Sequence, residues 1–167
     1  MQAALYPGSF DPITRGHLYI IERARDMGIF SEITVLLAVN PNKAPLFPTE
    51  ENMALIRQTT SQWPEVQVDT TEGLVTDYAQ RHNIRVAIRG LRGVTDFENE
   101  FSMALTNRDL SPDFDTLFLM TRSDYMYLSS SLVRQVAQMG GAIEQFVPDC
   151  VAAKLRKKFG QGAGGHV

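Results

Sequence analysis

The first seventeen residues combine a predicted strand, a turn and the start of a predicted helix. Ala3 to Tyr6 is a short apolar run typical of a buried strand, and residues 7–12 form a turn that leads to Thr14-Arg15-Gly16-His17. A strand that turns directly into a helix leaves backbone N–H groups unpaired and pointing at one place, which suits a phosphate. His17 adds a side-chain hydrogen-bond donor in the first helical turn. The segment therefore predicts a site that handles phosphate groups.

The other residues with suitable chemistry also follow the carboxyl ends of predicted strands. They are Ser9 and His17 after the first strand, Lys43 after the second, Arg89 and Arg92 after the fourth, and Tyr125 to Ser131 after the fifth. Each has an ordinary interpretation by itself, as a helix cap, a solvated cation or a salt-bridge partner. Because a parallel sheet gathers these strand ends at one edge, their shared location favours a functional site.

Taken together, these residue types suit a reaction between two phosphate groups. Two anions held within reacting distance repel each other strongly in a partly dry cleft. Lys43, Arg89 and Arg92 can offset this repulsion, and each planar guanidinium presents paired donors to phosphate oxygens. His17 can donate to an oxygen whose negative charge grows in the transition state, while the two helix N-termini add partial positive charge.

Several common sites are missing from the sequence. There is no G-x-x-x-x-G-K-[ST] loop, no G-x-G-x-x-G after the first strand, and no carboxylate or Cys/His cluster at metal-ligand spacing. No nucleophile with an adjacent base stands out, so a covalent intermediate is not expected. What remains is positioning plus electrostatics, which is sufficient for phosphoryl or nucleotidyl transfer.

The elements that must position these residues alternate along the chain. Strands are predicted at 3–6, 33–39, 66–68, 85–88 and 116–120. Helices are predicted in a segment closed by Gly28, in one opened by Thr49, at 74–82, at 96–110, from Ser129 onwards, and from Pro148 to near Phe159. This alternation predicts a single-domain, Rossmann-like α/β fold, with a doubly wound five-stranded parallel sheet and helices on both faces. The domain is expected to span residues 1–159, and the glycine-rich residues 160–167 are expected to be disordered.

Length and composition narrow the function classes. The chain has 167 residues, a net charge of −3 and a pI of about 5.6, so it lacks the broad positive field of most nucleic-acid binders. Its one cysteine, Cys150, excludes an internal disulfide framework. With no apolar run of ~18 residues and no leader-like N-terminus, we expect a cytoplasmic protein without a membrane partner.

Two segments resemble the signatures of the nucleotidyltransferase superfamily. Tyr6-Pro-Gly-Ser-Phe-Asp-Pro-Ile-Thr-Arg-Gly-His17 is similar to its (T/H)xGH signature, and Leu128-Ser-Ser-Ser-Leu-Val-Arg134 to its ISSTxxR type. These two also fit nicotinamide-mononucleotide and glycerol-phosphate enzymes. Residues 40–47, 88–100 and 103–108 look like bacterial phosphopantetheine adenylyltransferases. The resemblance covers about residues 3 to 158.

The resemblance implies transfer of the adenylyl group of ATP to 4′-phosphopantetheine, giving 3′-dephospho-coenzyme A and pyrophosphate. It implies direct in-line attack, Mg²⁺ on the triphosphate and a homohexamer. The implied catalytic residues are His17, as transition-state stabiliser, Lys43 and Arg92. The implied acceptor-binding residues are Ser9, Lys43, Leu74, Val75 and Arg89. The implied ATP-binding residues are Ser9, Phe10, His17, Gly90, Leu91, Arg92, Glu100, Tyr125, Met126, Tyr127, Leu128, Ser129, Ser130 and Ser131.

The chain departs from the family pattern at three of these positions or near them. Ser9 stands where threonine is common, Arg15 where asparagine is usual, and Val75 where methionine is common. Three other functions remain to be distinguished: transfer to another phosphorylated acceptor such as nicotinamide mononucleotide, non-catalytic sensing of adenine nucleotides, and nucleic-acid binding. The Arg89-Gly-Leu-Arg92 segment favours 4′-phosphopantetheine as the acceptor. The Thr14-x-Gly-His17 motif argues against a non-catalytic sensor, and the acidic pI argues against nucleic-acid binding.

Overall fold

The computed structural model describes residues 2–42 and 44–160, with the backbone alone at 94 and 95. Lys43 and residues 161–167 of the predicted tail lie outside the described residues. The strands are β1 (Gln2–Gly8), β2 (Phe30–Ala38), β3 (Val66–Thr71), β4 (Val86–Leu91) and β5 (Asp115–Met120). The α-helices are α1 (Arg15–Asp26), α2 (Thr49–Thr60), α3 (Val75–Arg81), α4 (Val94–Leu110), α5 (Ser130–Gln138) and α6 (Asp149–Lys158), and a single 3₁₀ turn spans Ser123–Tyr125.

All five strands are parallel, in the order β3-β2-β1-β4-β5. The chain builds outward from β1 through β2 to β3, and then crosses back to place β4 on the other side of β1. The strand order therefore reverses between β1 and β4, and ligands of open α/β sheets bind outside the carboxyl ends of the strands at such a point. The predicted doubly wound parallel sheet is confirmed.

Alternation along β1 divides the core between the two faces of the sheet. Ala4 and Tyr6 belong to a large buried cluster with apolar residues of α1, α2, α5 and α6. Leu5 belongs to a smaller cluster with Tyr78 and Ala79 of α3. Successive side chains of a strand point to opposite faces, so every strand with apolar residues at consecutive positions must be covered twice. The helices accordingly cover both faces, as predicted.

The predicted carboxyl end of the fourth strand is wrong. The apolar run stops at Ile88, but β4 continues to Leu91 because Arg89, Gly90 and Leu91 pair with Phe118, Leu119 and Met120 of β5. Arg89 therefore lies within the strand rather than after it. The third strand is also longer than predicted, since its last residues pair with β2 up to Thr71. In both cases backbone pairing with a neighbouring strand outweighs the local loss of apolar residues.

The helix ends follow their predicted signals. Gly28 has a φ of +66°, and its N–H bonds the carbonyl of Arg25 just after the end of α1. Thr49 begins α2, and Pro148 precedes α6. No helix among residues 2–42 and 44–160 is long and apolar enough to cross a membrane.

Candidate active site

A cavity of about 240 Å³ lies at the carboxyl ends of β1 and β4, where the strand order reverses. Four separate segments form its wall: the end of β1 with the following loop, the start of α1, the end of β4 with α4, and the connection from β5 to α5. The first two are consecutive in the chain, but the region around the start of α1, the β4–α4 region and the β5–α5 connection are far apart in sequence, and the sheet brings them together. The predicted convergence of strand ends at one site is therefore present.

Most of the sequence-predicted site residues line this cavity. They are Ser9, Phe10, His17, Arg89, Gly90, Arg92, Glu100, Tyr125, Leu128, Ser129, Ser130 and Ser131. Tyr6 and Thr14, which belong to the signature segment, also line it, as do Asp96 and Thr121, which the sequence did not single out. Asp96 had a usable signal, because an acid four residues after Arg92 at a helix start commonly pairs with it.

The other predicted residues lie elsewhere. Leu91 is buried and does not line the cavity, and Met126 and Tyr127 are exposed outside it. Leu74, at the start of α3, is exposed, and Val75 packs against the smaller core cluster. Lys43 lies outside the described residues.

The backbone around His17 fixes which nitrogen of its ring carries the proton. The N–H of Thr14 donates to His17 Nδ1 at 3.1 Å, while the N–H of His17 donates to Thr14 Oγ1 at 3.3 Å. This reciprocal capping box holds the first turn of α1. Because Nδ1 accepts, the neutral imidazole carries its proton on Nε2. His17 therefore presents an N–H donor.

The surroundings of His17 keep the ring neutral. The ring packs edge-to-face against Phe10, with centroids 5.1 Å apart, and against Tyr6 at 6.5 Å. Burial, together with the charges of Arg92 and Arg89, lowers the pKa of His17 from 6.5 to about 3. At neutral pH His17 is thus an uncharged hydrogen-bond donor, able to stabilise growing negative charge without releasing a proton first.

The guanidinium of Arg89 is held on three sides. Its Nε and Nη2 donate to the two carboxylate oxygens of Glu100, and its Nη1 donates to the carbonyl of Pro7. Burial acts to lower the pKa of Arg89, but the hydrogen bonds and charge of Glu100 outweigh it and raise that pKa. Arginine has five N–H donors, so about two remain beside the cavity in the described part of the chain. A fixed guanidinium loses little entropy when an anion binds it.

Arg92, three residues after Arg89, is held in the same way by a carboxylate and a backbone carbonyl. Its Nε and Nη2 donate to the carboxylate of Asp96 at 3.2 and 2.9 Å, and its Nη1 donates to the carbonyl of Leu128 at 3.0 Å. Burial acts to raise the pKa of Asp96, but the hydrogen bonds and charge of Arg92 prevail and lower it. The bond to Leu128 also links β4 to the segment that begins α5.

Gly90 allows helix α1 to lie directly against β4. A Cβ atom at Gly90 would come within 2.9 Å of Ile20 Cγ1, so any other residue would force the Ile20 side chain or helix α1 to shift. This close approach brings His17, one turn before Ile20, to the same cavity as Arg89. The glycine that follows Arg89 is therefore part of what assembles the site.

A second cavity, of about 510 Å³, adjoins the first at the carboxyl end of β2. Ser9 and Ser131 line both cavities. Leu37, Ala38, Val39, Pro45 and Phe47 give the second cavity apolar walls, and Asp11, Asn40, Asn52 and Arg134 add polar groups. The two spaces together can hold a phosphate group next to an extended, mainly apolar arm.

A family model described as cytidylyltransferase-like matches residues 5–136. The phosphopantetheine adenylyltransferase of Carboxydothermus hydrogenoformans is 50% identical over 159 residues, covering 95% of this chain and 97% of that protein. The enzyme of the same name from Syntrophotalea carbinolica is 51% identical over 156 residues, covering 93% of each chain. The chain belongs to the phosphopantetheine adenylyltransferase family.

Membership of the phosphopantetheine adenylyltransferase family agrees with the resemblance found in the sequence. A solved structure, Plasmodium falciparum nicotinic acid mononucleotide adenylyltransferase complexed with NaAD, also has this fold, with a TM-score of 0.70 over 95% of each chain. Its identity is 15%, so the likeness shows the fold alone. Among the described residues, no group of three or more His, Cys, Asp or Glu side chains is placed to hold a metal ion.

Proposed function

We propose that the protein transfers the adenylyl group of ATP to 4′-phosphopantetheine and releases pyrophosphate, forming 3′-dephospho-coenzyme A. The observation that carries this proposal is the placement of three groups around one cavity at the switch point of the sheet. These are a neutral His17 that presents Nε2–H, and the guanidinium groups of Arg89 and Arg92, each held by a carboxylate. Such an array is built to bind phosphates and to stabilise charge, and it contains no poised nucleophile.

The acceptor is assigned to the side of the cavity nearest β1 and β2. The Ser9 hydroxyl, Arg89 and Lys43 bind its phosphate, and Ser9 lines both cavities. The second cavity then receives the pantetheine arm, with Leu74 and Val75 further along the same edge of the sheet. Its apolar walls suit the carbon skeleton of the arm, and the side chains of Asn40 and Asn52 suit its amides.

ATP is assigned to the side formed by β4, α4 and the start of α5. The proposed contacts in the cavity are Ser9, Phe10, His17, Gly90, Arg92, Glu100, Tyr125 and residues 128–131, and Leu91, Met126 and Tyr127 are proposed to contact the nucleotide only where it extends beyond the cavity wall. Ser129 caps α5 by accepting from the N–H of Leu132 at 3.1 Å, and the Ser130 hydroxyl donates to the carbonyl of Pro12 at 2.8 Å. These bonds hold the positive end of the α5 dipole beside the cavity, where it attracts a triphosphate.

The reaction is a direct displacement at the α-phosphorus of ATP. An oxygen of the acceptor phosphate forms the new O–P bond while the bond from the α-phosphorus to the bridging oxygen breaks, and that electron pair leaves with pyrophosphate. His17 Nε2–H donates to an α-phosphate oxygen as its negative charge grows, and Arg92 and Lys43 offset the charge of the reacting groups. No covalent enzyme intermediate is needed, because the fixed donors act by positioning and electrostatics.

Mg²⁺ is proposed to accompany the triphosphate rather than to occupy a protein cage. The two carboxylates at the cavity wall, Asp96 and Glu100, are both engaged by arginines, so they offer no ready ligand set. Mg²⁺ commonly keeps several waters and binds through substrate phosphates. When bound there, the ion supplies charge neutralisation at the phosphates; Arg89 and Arg92 orient the anions beside it.

A homohexamer and a cytoplasmic location complete the proposal. Several large apolar side chains of α4 and of the edge strand β5 are exposed: Phe97, Phe101, Met103, Leu105, Leu110 and Met120. Because large exposed apolar surface often marks a protein–protein contact, these two elements are the proposed contact between subunits. The cytoplasmic location is supported by the use of ATP and by a single, half-buried cysteine, Cys150.

The deciding experiment measures pyrophosphate release with ATP, Mg²⁺ and either 4′-phosphopantetheine or nicotinamide mononucleotide. We expect pyrophosphate release with 4′-phosphopantetheine and a kcat/KM lower by about 100-fold or more with nicotinamide mononucleotide. The two acceptors share a phosphate group, but a cavity that fits the pantetheine arm does not fit a nucleoside equally well. Release with neither acceptor, while ATP still binds, would favour a nucleotide sensor. Preferential use of the mononucleotide would contradict the proposed acceptor.

A further inference from the structure

The carboxylate of Asp11 joins three segments of the chain. It lies in the loop between β1 and α1, two residues after Ser9, and is only 7% exposed. Its Oδ2 accepts the N–H of Leu46 at 2.6 Å, and its Oδ1 accepts the N–H of Phe47 at 3.1 Å. Arg134 Nη1 of α5 lies 3.5 Å from Oδ2.

This arrangement is directional. A buried carboxylate is costly unless hydrogen bonds and a positive charge satisfy it, and charge-assisted bonds to backbone N–H groups are both short and strong. Two consecutive N–H groups that bind the two oxygens of one carboxylate fix the peptide segment in distance and in orientation. Phe47, whose side chain is 2% exposed, anchors that segment in the core.

A second link ties the same two parts of the chain together. Asn52, in α2, donates from Nδ2 to the carbonyl of Ser9 at 3.2 Å. Asn52 is 2% exposed, so this bond is shielded from water. The loop that carries Ser9 is therefore held from two sides by the β2–α2 connection and the helix that follows it.

We propose that Asp11 is a positioning residue that aligns the β2–α2 connection with the β1–α1 loop, and thereby sets the affinity for the phosphorylated acceptor. Ser9, two residues before Asp11, lines both cavities, and Pro45 and Phe47, on either side of Leu46, line the second one. Asp11 thus joins the loop that carries a proposed ligand of the acceptor phosphate to the segment that walls the proposed cavity for the arm. This inference rests on the proposed function, because it uses the acceptor assigned there.

The test is the Asp11→Asn variant of the full chain. The amide nitrogen cannot accept a hydrogen bond, so one of the two backbone N–H groups loses its partner and the charge facing Arg134 is removed. We expect the KM for 4′-phosphopantetheine to rise about tenfold or more, because the β2–α2 connection is then held less firmly and acceptor binding must offset the cost of aligning it. The KM for ATP should stay within about twofold, and amide hydrogen exchange at Leu46 and Phe47 should accelerate.

The matched control is Asp149→Asn. Asp149 also faces an arginine, Arg15, at 3.7 Å, but it is exposed and lies outside both cavities. Its variant should behave like the wild type for both substrates. The Asp11→Glu variant keeps the charge and displaces the oxygens by one methylene, so it should not restore the acceptor KM. Full restoration by Glu would show that charge suffices and would overturn the proposal.

A measurement on the wild type covers the case in which Asp11→Asn does not fold. Saturating 4′-phosphopantetheine should slow exchange at Leu46 and Phe47, because a ligand that binds the aligned state stabilises it. If the acceptor left amide hydrogen exchange at Leu46 and Phe47 unchanged, the proposed role of Asp11 would be overturned. It would also be overturned if Asp11→Asn raised the KM for both substrates equally or raised neither. Failure of the proposed function looks different: the wild type itself would release no pyrophosphate with this acceptor, and the coupling would fall with it.

Discussion

A tyrosine and a histidine lie near each other at both ends of the sheet, but their hydrogen bonding differs. At the carboxyl end, His17 and Tyr6 lie beside two arginines in a cavity. Nearer the amino end, Tyr78 and His82 of α3 and its C-cap stack with ring centroids 4.1 Å apart, next to a hollow of about 310 Å³. There the Tyr78 hydroxyl donates to Asp69 Oδ2 at 2.6 Å.

The two clusters differ in whether their hydrogen-bond donors already have a partner within the described part of the protein. Near the amino end, the hydroxyl of Tyr78 is used up by Asp69, and this bond is the main cause that lowers the pKa of Asp69. At the carboxyl end, His17 Nδ1 accepts a hydrogen bond from the backbone N–H of Thr14, and the Nε2–H group remains able to donate to a ligand. Helix N-termini also converge at that end, whereas helix C-termini face the other. A cluster of reactive residue types becomes a candidate site where donors are left over beside a cavity.

The largest expected effect is a loss of kcat on replacing His17, with no such loss on replacing His82. His17→Ala should lower kcat by about 100- to 1000-fold, the cost of removing one preorganised donor to a transition-state oxyanion. The ATP dissociation constant should change little, because this donor matters most as charge develops. His82→Ala should keep wild-type kcat. Steady-state kinetics and an ATP titration check this, and equal losses in turnover and ATP affinity would make His17 a ground-state binder instead.

The next effect concerns the arginine held by Glu100. Arg89→Ala should raise the KM for 4′-phosphopantetheine about 10- to 100-fold, since a charge-assisted bond to phosphate is lost and Glu100 is left to repel the anion. Lys43→Ala should act on the same KM. The control is Arg25→Ala, which removes a similarly half-buried arginine paired with Glu65, remote from the cavity. Arg89→Ala that weakened ATP alone would show the two binding sides to be misassigned.

The dependence of stability on pH should carry a contribution from His17. Its pKa falls from 6.5 to about 3 in the folded protein. Between these values the unfolded chain binds a proton that the folded chain does not, so this contribution is complete above pH 6.5 and is lost as the pH falls toward 3. Urea unfolding at pH 7 and pH 4.5 should show a smaller difference for His17→Gln than for the wild type. The exposed His82, replaced by Gln, serves as control, and an unchanged difference in His17→Gln would show that the imidazole of His17 is not held neutral.

The smallest effect is expected from the hydrogen bond nearer the amino end. Tyr78→Phe removes the donor to Asp69 and keeps the ring, so the free energy of unfolding should fall by about 1 kcal/mol. Turnover and both KM values should match the wild type. Chemical denaturation and the pyrophosphate assay check this together. A clear loss of activity would mean that this end of the sheet is coupled to the reaction after all.

The sequence predicted the elements around the cavity where a local pattern carried the information. The turn before Thr14, the glycine after α1 and the serines that open α5 are local signals, and the structure has the elements they predict. The sequence carried a local signal for the Arg92–Asp96 pair that the prediction did not use, and it did not show that Glu100 would hold Arg89. The Arg89–Glu100 pair depends on how α4 packs beside β4, which no local pattern encodes.

The amino-acid sequence was enough to establish the alternation of strands and helices, the residue types available for phosphate chemistry and, through the resemblance, the family. These depend on apolar periodicity, turn residues and motifs that span a few residues each. The tertiary structure alone decided how far β4 extends, which nitrogen of His17 is the donor, and how Asp11 joins two loops. Those features arise from pairing, burial and hydrogen bonds between residues distant in sequence, and such contacts exist only once the sheet has brought its strand ends together.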